Sequence, residues 1–132
     1  MSIIVADDHP QVRKAVCTLL ETHREFRACV EAANGNEAIL KSLELNPRLV
    51  ILDIEMPVFD GFSAAEKIRQ VLPKVPILMF SANTSPDVVQ FSRSVGAQGF
   101  VNKTEIGEVL LQAVDALLAG GTFFPNRGNK SI

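Results

Sequence analysis

Five residues of this 132-residue chain have the types and settings to do chemistry together: Asp7, Asp8, Asp53, Ser81 and Lys103. Each stands where a short apolar run stops. Leu49-Val50-Ile51-Leu52 meets Asp53, Ile3-Ile4-Val5-Ala6 meets Asp7-Asp8, Ile77-Leu78-Met79-Phe80 meets Ser81, and Phe100-Val101 leads to Asn102-Lys103. Carboxylates brought close together repel one another, and their pKa values rise unless something offsets the charge. One remedy is a shared hard cation, and Mg2+ characteristically takes one or two carboxylates together with water and phosphate oxygens. The other is a lysine, whose ammonium pairs with an acid and also binds phosphate. With the Ser81 hydroxyl the set suits phosphoryl transfer to a carboxylate, where an Asp is the nucleophile and nearby charge neutralises the transferring group. Singly, each residue has a plainer account: Asp7 or Asp8 as a helix cap, Asp53 as a loop acid, Ser81 as a turn residue, Lys103 as a solvated lysine. Their joint placement at run ends is what argues for a site.

The elements that must position them alternate. Unbroken apolar runs bounded by turn signals read as strands buried on both faces, as in a parallel sheet. Strands are expected at Ser2–Ala6, Phe26–Ala32, Arg48–Leu52, Ile77–Phe80 and Gln98–Val101. Helical spacing of apolar residues fills the intervals. One helix runs from Pro10 to about His23, a second from Glu37 to before Asn46-Pro47, a third from Phe62 to Leu72, and a fourth follows Ser85-Pro86. The last is expected over about Glu105–Ala119, capped by Thr104 and stopped by Gly120-Gly121. Five strand-helix units imply a parallel sheet with helices on both faces and right-handed crossovers. The compact order is 2-1-3-4-5, already established for sheets of this kind, with its switch point between the first and third strands. Asp7-Asp8 and Asp53 would flank that point, at the carboxyl ends where such sheets bind ligands.

Composition bounds the rest. The length fits one domain, and 47% apolar with 21% charged residues is a globular balance. A net charge of −2 favours neither nucleic acid nor an anionic membrane. There is no signal-peptide pattern and no apolar run long enough to span a bilayer. Cys17 and Cys29 form no metal-ligand pattern; each falls in an apolar-periodic segment and reads as a reduced, packed thiol, which points to the cytoplasm. Residues 1–121 are expected to form the domain, and 122–132, rich in turn residues, a tail or the start of a linker.

Taken together, Asp7-Asp8-His9-Pro10, Leu52-Asp53-Ile54-Glu55-Met56-Pro57 with Asp60-Gly61, Ser81-Ala82, and Gly96-Ala97 through Gly99-Phe100 to Lys103 closely resemble the receiver domain of two-component response regulators, from Ser2 to about Pro125. The resemblance implies a CheY-like, flavodoxin-like fold. It implies a phospho-acceptor at Asp53 and a Mg2+ ion held by Asp8 and Asp53, by Asp7 through water and by the Glu55 backbone carbonyl. Ser81 and Lys103 would hold the phosphoryl group, and Phe100 would be a switch aromatic that turns inward when Ser81 moves toward phosphate. The implied partner is a sensor histidine kinase or phosphotransfer protein, and the only catalysis is of the domain's own phosphorylation and dephosphorylation. The opening Asp-Asp-His-Pro and the ending Gly120-Gly121-Thr122-Phe123-Phe124-Pro125 look like the LuxR/NarL-type subfamily, in which DNA is bound by a separate output domain. Thr104 departs from the Pro that many receivers carry after the lysine, and no cis peptide is assumed there, because before a non-proline residue it costs about 2.5–4 kcal/mol.

Two other classes fit less well. A haloacid-dehalogenase-like phosphatase also uses Asp, Lys and Mg2+, but it would want an Asp where Glu55 stands and further acids late in the chain. A flavodoxin-type binding module would want a Gly-rich phosphate loop after the first strand. On the last helix Ile106, Val109, Leu110, Ala113 and Leu117 form one apolar stripe, and Leu111, Val114 and Leu118 a second, about 100° away. The second stripe is expected either beneath the first helix or as a surface for a homodimer or an output domain.

Overall fold

In the computed structural model, which describes residues 2–23 and 28–125, five strands alternate with five helices. They are β1 Ser2–Ala6, α1 Pro10–His23, β2 Ala28–Ala32, α2 Gly35–Leu45, β3 Leu49–Asp53, α3 Gly61–Val71, β4 Ile77–Ser81, α4 Pro86–Ser94, β5 Gly99–Asn102 and α5 Glu108–Leu118. All strand pairs are parallel and the sheet order is β2-β1-β3-β4-β5, as expected. The first two residues expected in β2, Phe26 and Arg27, and the tail from 126 lie outside the described residues.

Every residue of β3 and β4 is buried, the consequence of helices on both faces. On one face Ile4, Val50, Leu52, Ile77 and Met79 pack with Ala38, Ala64 and Ile68 of α2 and α3. On the other, Ile3, Val5, Leu49, Ile51, Leu78 and Phe80 pack with Val16 and Leu20 of α1 and with Leu110, Ala113 and Leu117 of α5. Val114, in the second stripe of α5, is fully buried; Leu111 and Leu118 are half-buried against this same core.

Turns fix where each strand delivers its last residue. Asn34 Oδ1 accepts from Glu37 N–H and caps α2, while Glu37 Oε1 accepts from Ala33 N–H. Asp60 Oδ1 accepts from Ser63 N–H at 2.8 Å and caps α3. Gly61 is required because a Cβ there would collide with the Asp53 carbonyl. Ser85 caps α4 with Pro86 in its first turn, as the sequence predicts. The start of the last helix differs. Lys103–Glu105 is a 3-10 turn capped by Asn102, whose Oδ1 accepts from Thr104 N–H at 2.9 Å, and α5 begins only after Gly107 at φ 117°. The expected cap at Thr104 fails because Thr104 lies within the 3-10 turn, and the positive φ of Gly107 separates that turn from α5, which has no side-chain cap. All described peptide bonds are trans.

Cys17 and Cys29 are not free. They form a disulfide with Cα atoms 5.5 Å apart. The sequence hides this pairing because it arises only when α1 lies across β2. The reading of reduced thiols is therefore overturned, and with it one support for a cytoplasmic location. Among the described residues no helix is long and apolar enough to cross a membrane.

Thr122–Pro125 is more firmly tied than a tail. Phe123 N–H donates to Gln98 O at 3.0 Å and Phe100 N–H donates to Phe123 O at 2.8 Å, so the chain returns along β5. Arg93 of α4 lies 3.9 Å over the Phe124 ring.

Candidate functional site

β1 and β3 are neighbours, with Ala6 opposite Leu52, so the next residues of each strand emerge side by side. Ligand atoms of Asp7, Asp8, His9 and Asp53 all lie within 4.8 Å of one another. Asp7 and Asp53 are 0% and 1% exposed, which keeps water from solvating their charge. Lys103 reaches in from the end of β5, placing Nζ 2.8 Å from Asp7 Oδ2 and 3.2 Å from Asp53 Oδ2. The three carboxylates and the lysine expected from the sequence therefore meet.

The electrostatics follow from that burial. The Asp53 carboxyl is pushed from 3.8 to about 6, chiefly by burial and then by the Asp7 charge, with Lys103 opposing. Burial works to lower the Lys103 ammonium, but its contacts with Asp7 and Asp53 outweigh burial and hold its pKa above the ordinary value. One ammonium does not saturate the acids. Asp7 Oδ2 and Asp53 Oδ2 are buried and share that single ammonium, and Asp8 Oδ1 is buried beside them. Oxygens of three carboxylates converging on one point, with one ammonium against them, are what a hard divalent cation would bind, so the residues fit Mg2+.

The remaining expected residues sit around this point. Glu55 is exposed at its side chain, and its N–H donates to Asp53 Oδ1 at 3.3 Å. Ser81 is buried at the end of β4, next to β3, and its Oγ accepts from Asn83 N–H at 3.0 Å. Phe100 is 1% exposed and lines a cavity of about 670 Å3 with Thr84, Val89, Phe123 and Phe124.

Two supporting residues were not singled out from the sequence. His9 N–H donates to Asp7 Oδ1 at 2.8 Å, and its ring Nδ1 lies 3.0 Å from that oxygen and 3.1 Å from Asp8 Oδ1. Arg13 donates from Nη1 to the Asp7 carbonyl at 2.7 Å and from Nε to Glu31 Oε1 at 2.9 Å. His9 was visible in its motif as a neighbour of the acids. Arg13 gave no signal, because its role depends on α1 crossing the end of β2.

Comparison with known proteins agrees with this geometry. Residues 3–115 match the family described as the response regulator receiver domain, and the chain belongs to that family. It is 34% identical over 123 residues to the transcriptional activator protein ExaE of Pseudomonas putida, covering 93% of this chain and 58% of that protein. A two-component response regulator of the LuxR family from an Aurantimonas species superposes with a TM-score of 0.84 at 33% identity, covering 92% of this chain and 87% of that one. The chemotaxis protein CheY4 of Vibrio cholerae superposes with a TM-score of 0.80 at 30% identity, covering 86% and 95% of the two chains. The chain spans about three fifths of the length of the curated relatives it matches.

Proposed function

We propose that this receiver domain accepts one phosphoryl group on Asp53 in a Mg2+-dependent reaction and thereby switches an output. The observation that carries the reading is the meeting of Asp53 with Asp7, Asp8 and Lys103, three carboxylates converging against one ammonium. The donor would be a phosphohistidine of a sensor histidine kinase or phosphotransfer protein. Asp53 Oδ attacks phosphorus, the phosphorus–nitrogen bond breaks, and the leaving imidazole takes up a proton. A Mg2+ ion bound by Asp8 and Asp53, and by Asp7 through water and the Glu55 carbonyl, would supply positive charge against the phosphoryl oxygens. Lys103, at Asp7 and Asp53, would supply a second positive charge. Ser81 would leave its bond to Asn83 and donate to a phosphoryl oxygen, coupling the site to Phe100, three positions before Lys103 on the adjacent strand. The phosphoryl group shifts the population only through such contacts made in one state and not the other. The domain turns over no separate substrate. Residues 1–121 would form the receiver, with 122–125 paired back along β5, and the remainder a tail or the start of a linker to an output domain. The relatives named as transcriptional regulators support an output in transcription, which would bind DNA through another domain. The same reading places the chain in the cytoplasm and gives association of two copies through α5 as a second mode.

The test is incubation with acetyl phosphate, with and without Mg2+. One labile phosphate per chain, formed only with the metal, supports the proposal. Steady release of inorganic phosphate over many turnovers would support a phosphatase instead, and no labelling would leave a plain interaction module.

A further inference from the structure

The Cys17–Cys29 disulfide sits one step from the acidic site. Arg13 precedes Cys17 by one helical turn on α1, and Glu31 follows Cys29 by two residues on β2, so both pairs join the same two elements on the same side. The disulfide and the Arg13–Glu31 ion pair are thus successive rungs between α1 and β2. The second rung is also the one that holds Asp7, through Arg13 Nη1 on its carbonyl at 2.7 Å. Lys41 Nζ donates to Glu31 O at 2.7 Å and fixes the strand end of that rung. We propose that Cys17–Cys29 is a reversible redox site, and that its closure holds α1 where Arg13 steadies Asp7, so that the oxidised domain binds a divalent cation more tightly than the reduced one.

Cys17 is 6% exposed and Cys29 is half-buried, so Cys29 is the sulfur that a soluble partner reaches first. With a low-molecular-weight disulfide as oxidant, the Cys29 thiolate attacks one sulfur, forms a mixed disulfide and releases one thiolate. The Cys17 thiolate then displaces the second thiolate and closes the bond. Two electrons pass to the oxidant, which leaves as two thiols, and a dithiol reverses both steps. The chain has two cysteines, so no other intramolecular pairing competes. The link to cation binding rests on the acidic cluster being a metal site, as proposed above.

The 132-residue chain is equilibrated in glutathione buffers of graded ratio, its thiols are alkylated and counted by intact mass, and Mg2+ binding is measured by calorimetry at both extremes. The proposal expects a single two-electron transition within the chain. It expects weaker Mg2+ binding after reduction, and no redox dependence in Cys17→Ala/Cys29→Ala. The Arg13→Gln variant, with the disulfide intact, should weaken Mg2+ about tenfold, the scale for loss of a group that orients a metal ligand. Two free thiols at every buffer ratio would overturn the redox site. Equal Mg2+ affinity in both forms would overturn the coupling alone, whereas no Mg2+ binding in either form would overturn the coupling and the metal site together.

Discussion

Asp53 is an acid at the end of a strand with no exposed residue, and this makes it both costly and useful. Its carboxyl holds a proton to about 6 instead of 3.8, so between those values the folded chain binds more protons than the unfolded one. The stability this contributes is complete below the unfolded value and is lost as pH rises through the folded one. In metal-free protein at about pH 8, Asp53→Asn should therefore be more stable than wild type, by about 1–3 kcal/mol. Urea melts should show the gain shrinking toward about pH 4 and on adding Mg2+. Lys103 works the other way. Among the described residues it is the one ammonium paired with both buried acids, and Lys103→Ala should cost on the order of 3 kcal/mol near neutral pH. Melts with Mg2+ should recover part of that loss, since a cation can replace the missing charge. Asp7, Asp8, Asp53 and Lys103 were legible in the sequence because each ends an apolar run. Arg13 was not, because its contacts join residues far apart in the chain.

At the scale of elements, the loop from β3 to α3 carries stored strain. Val58 has φ 70° and is 82% exposed, a left-handed conformation that a β-branched side chain adopts only at a cost. Phe59, its neighbour, packs its carbonyl against Gly35 at the start of α2, where a Cβ would collide. The strain persists because Gly61 against Asp53 and Gly35 against Phe59 hold the loop from both ends. Val58→Gly should stabilise the domain by about 0.5–1 kcal/mol, the relief of strain less the added chain entropy of glycine. Thermal melting would reveal it, and an unchanged or lower melting temperature would show that the loop carries no such strain. Strand and helix order was readable here from periodicity alone. The late start of α5 was not, because Thr104 is a good cap by type and the break at Gly107, with φ 117° and no side-chain cap, shows only in the backbone.

For the whole molecule, the parallel order β2-β1-β3-β4-β5 brings the ends of β1, β3, β4 and β5 to one edge, and the sequence forecast that edge from strand count and crossover hand. It did not forecast the return of Phe123 along β5, since Thr122-Phe123-Phe124 is too short to read as a strand between Gly120-Gly121 and Pro125. Nor did it forecast a disulfide across α1 and β2. Both are long-range pairings whose partners look ordinary in isolation. The family match fixes the class of molecule; the chemistry at Asp53 is the claim that most needs a direct measurement. That measurement is borohydride trapping after incubation with acetyl phosphate and Mg2+, which reduces an aspartyl phosphate to homoserine, followed by peptide mass spectrometry. The account predicts homoserine at position 53, and none in protein treated without Mg2+ or in Asp53→Asn. Homoserine at Asp7 or Asp8, or undiminished trapping in Asp53→Asn, would contradict it.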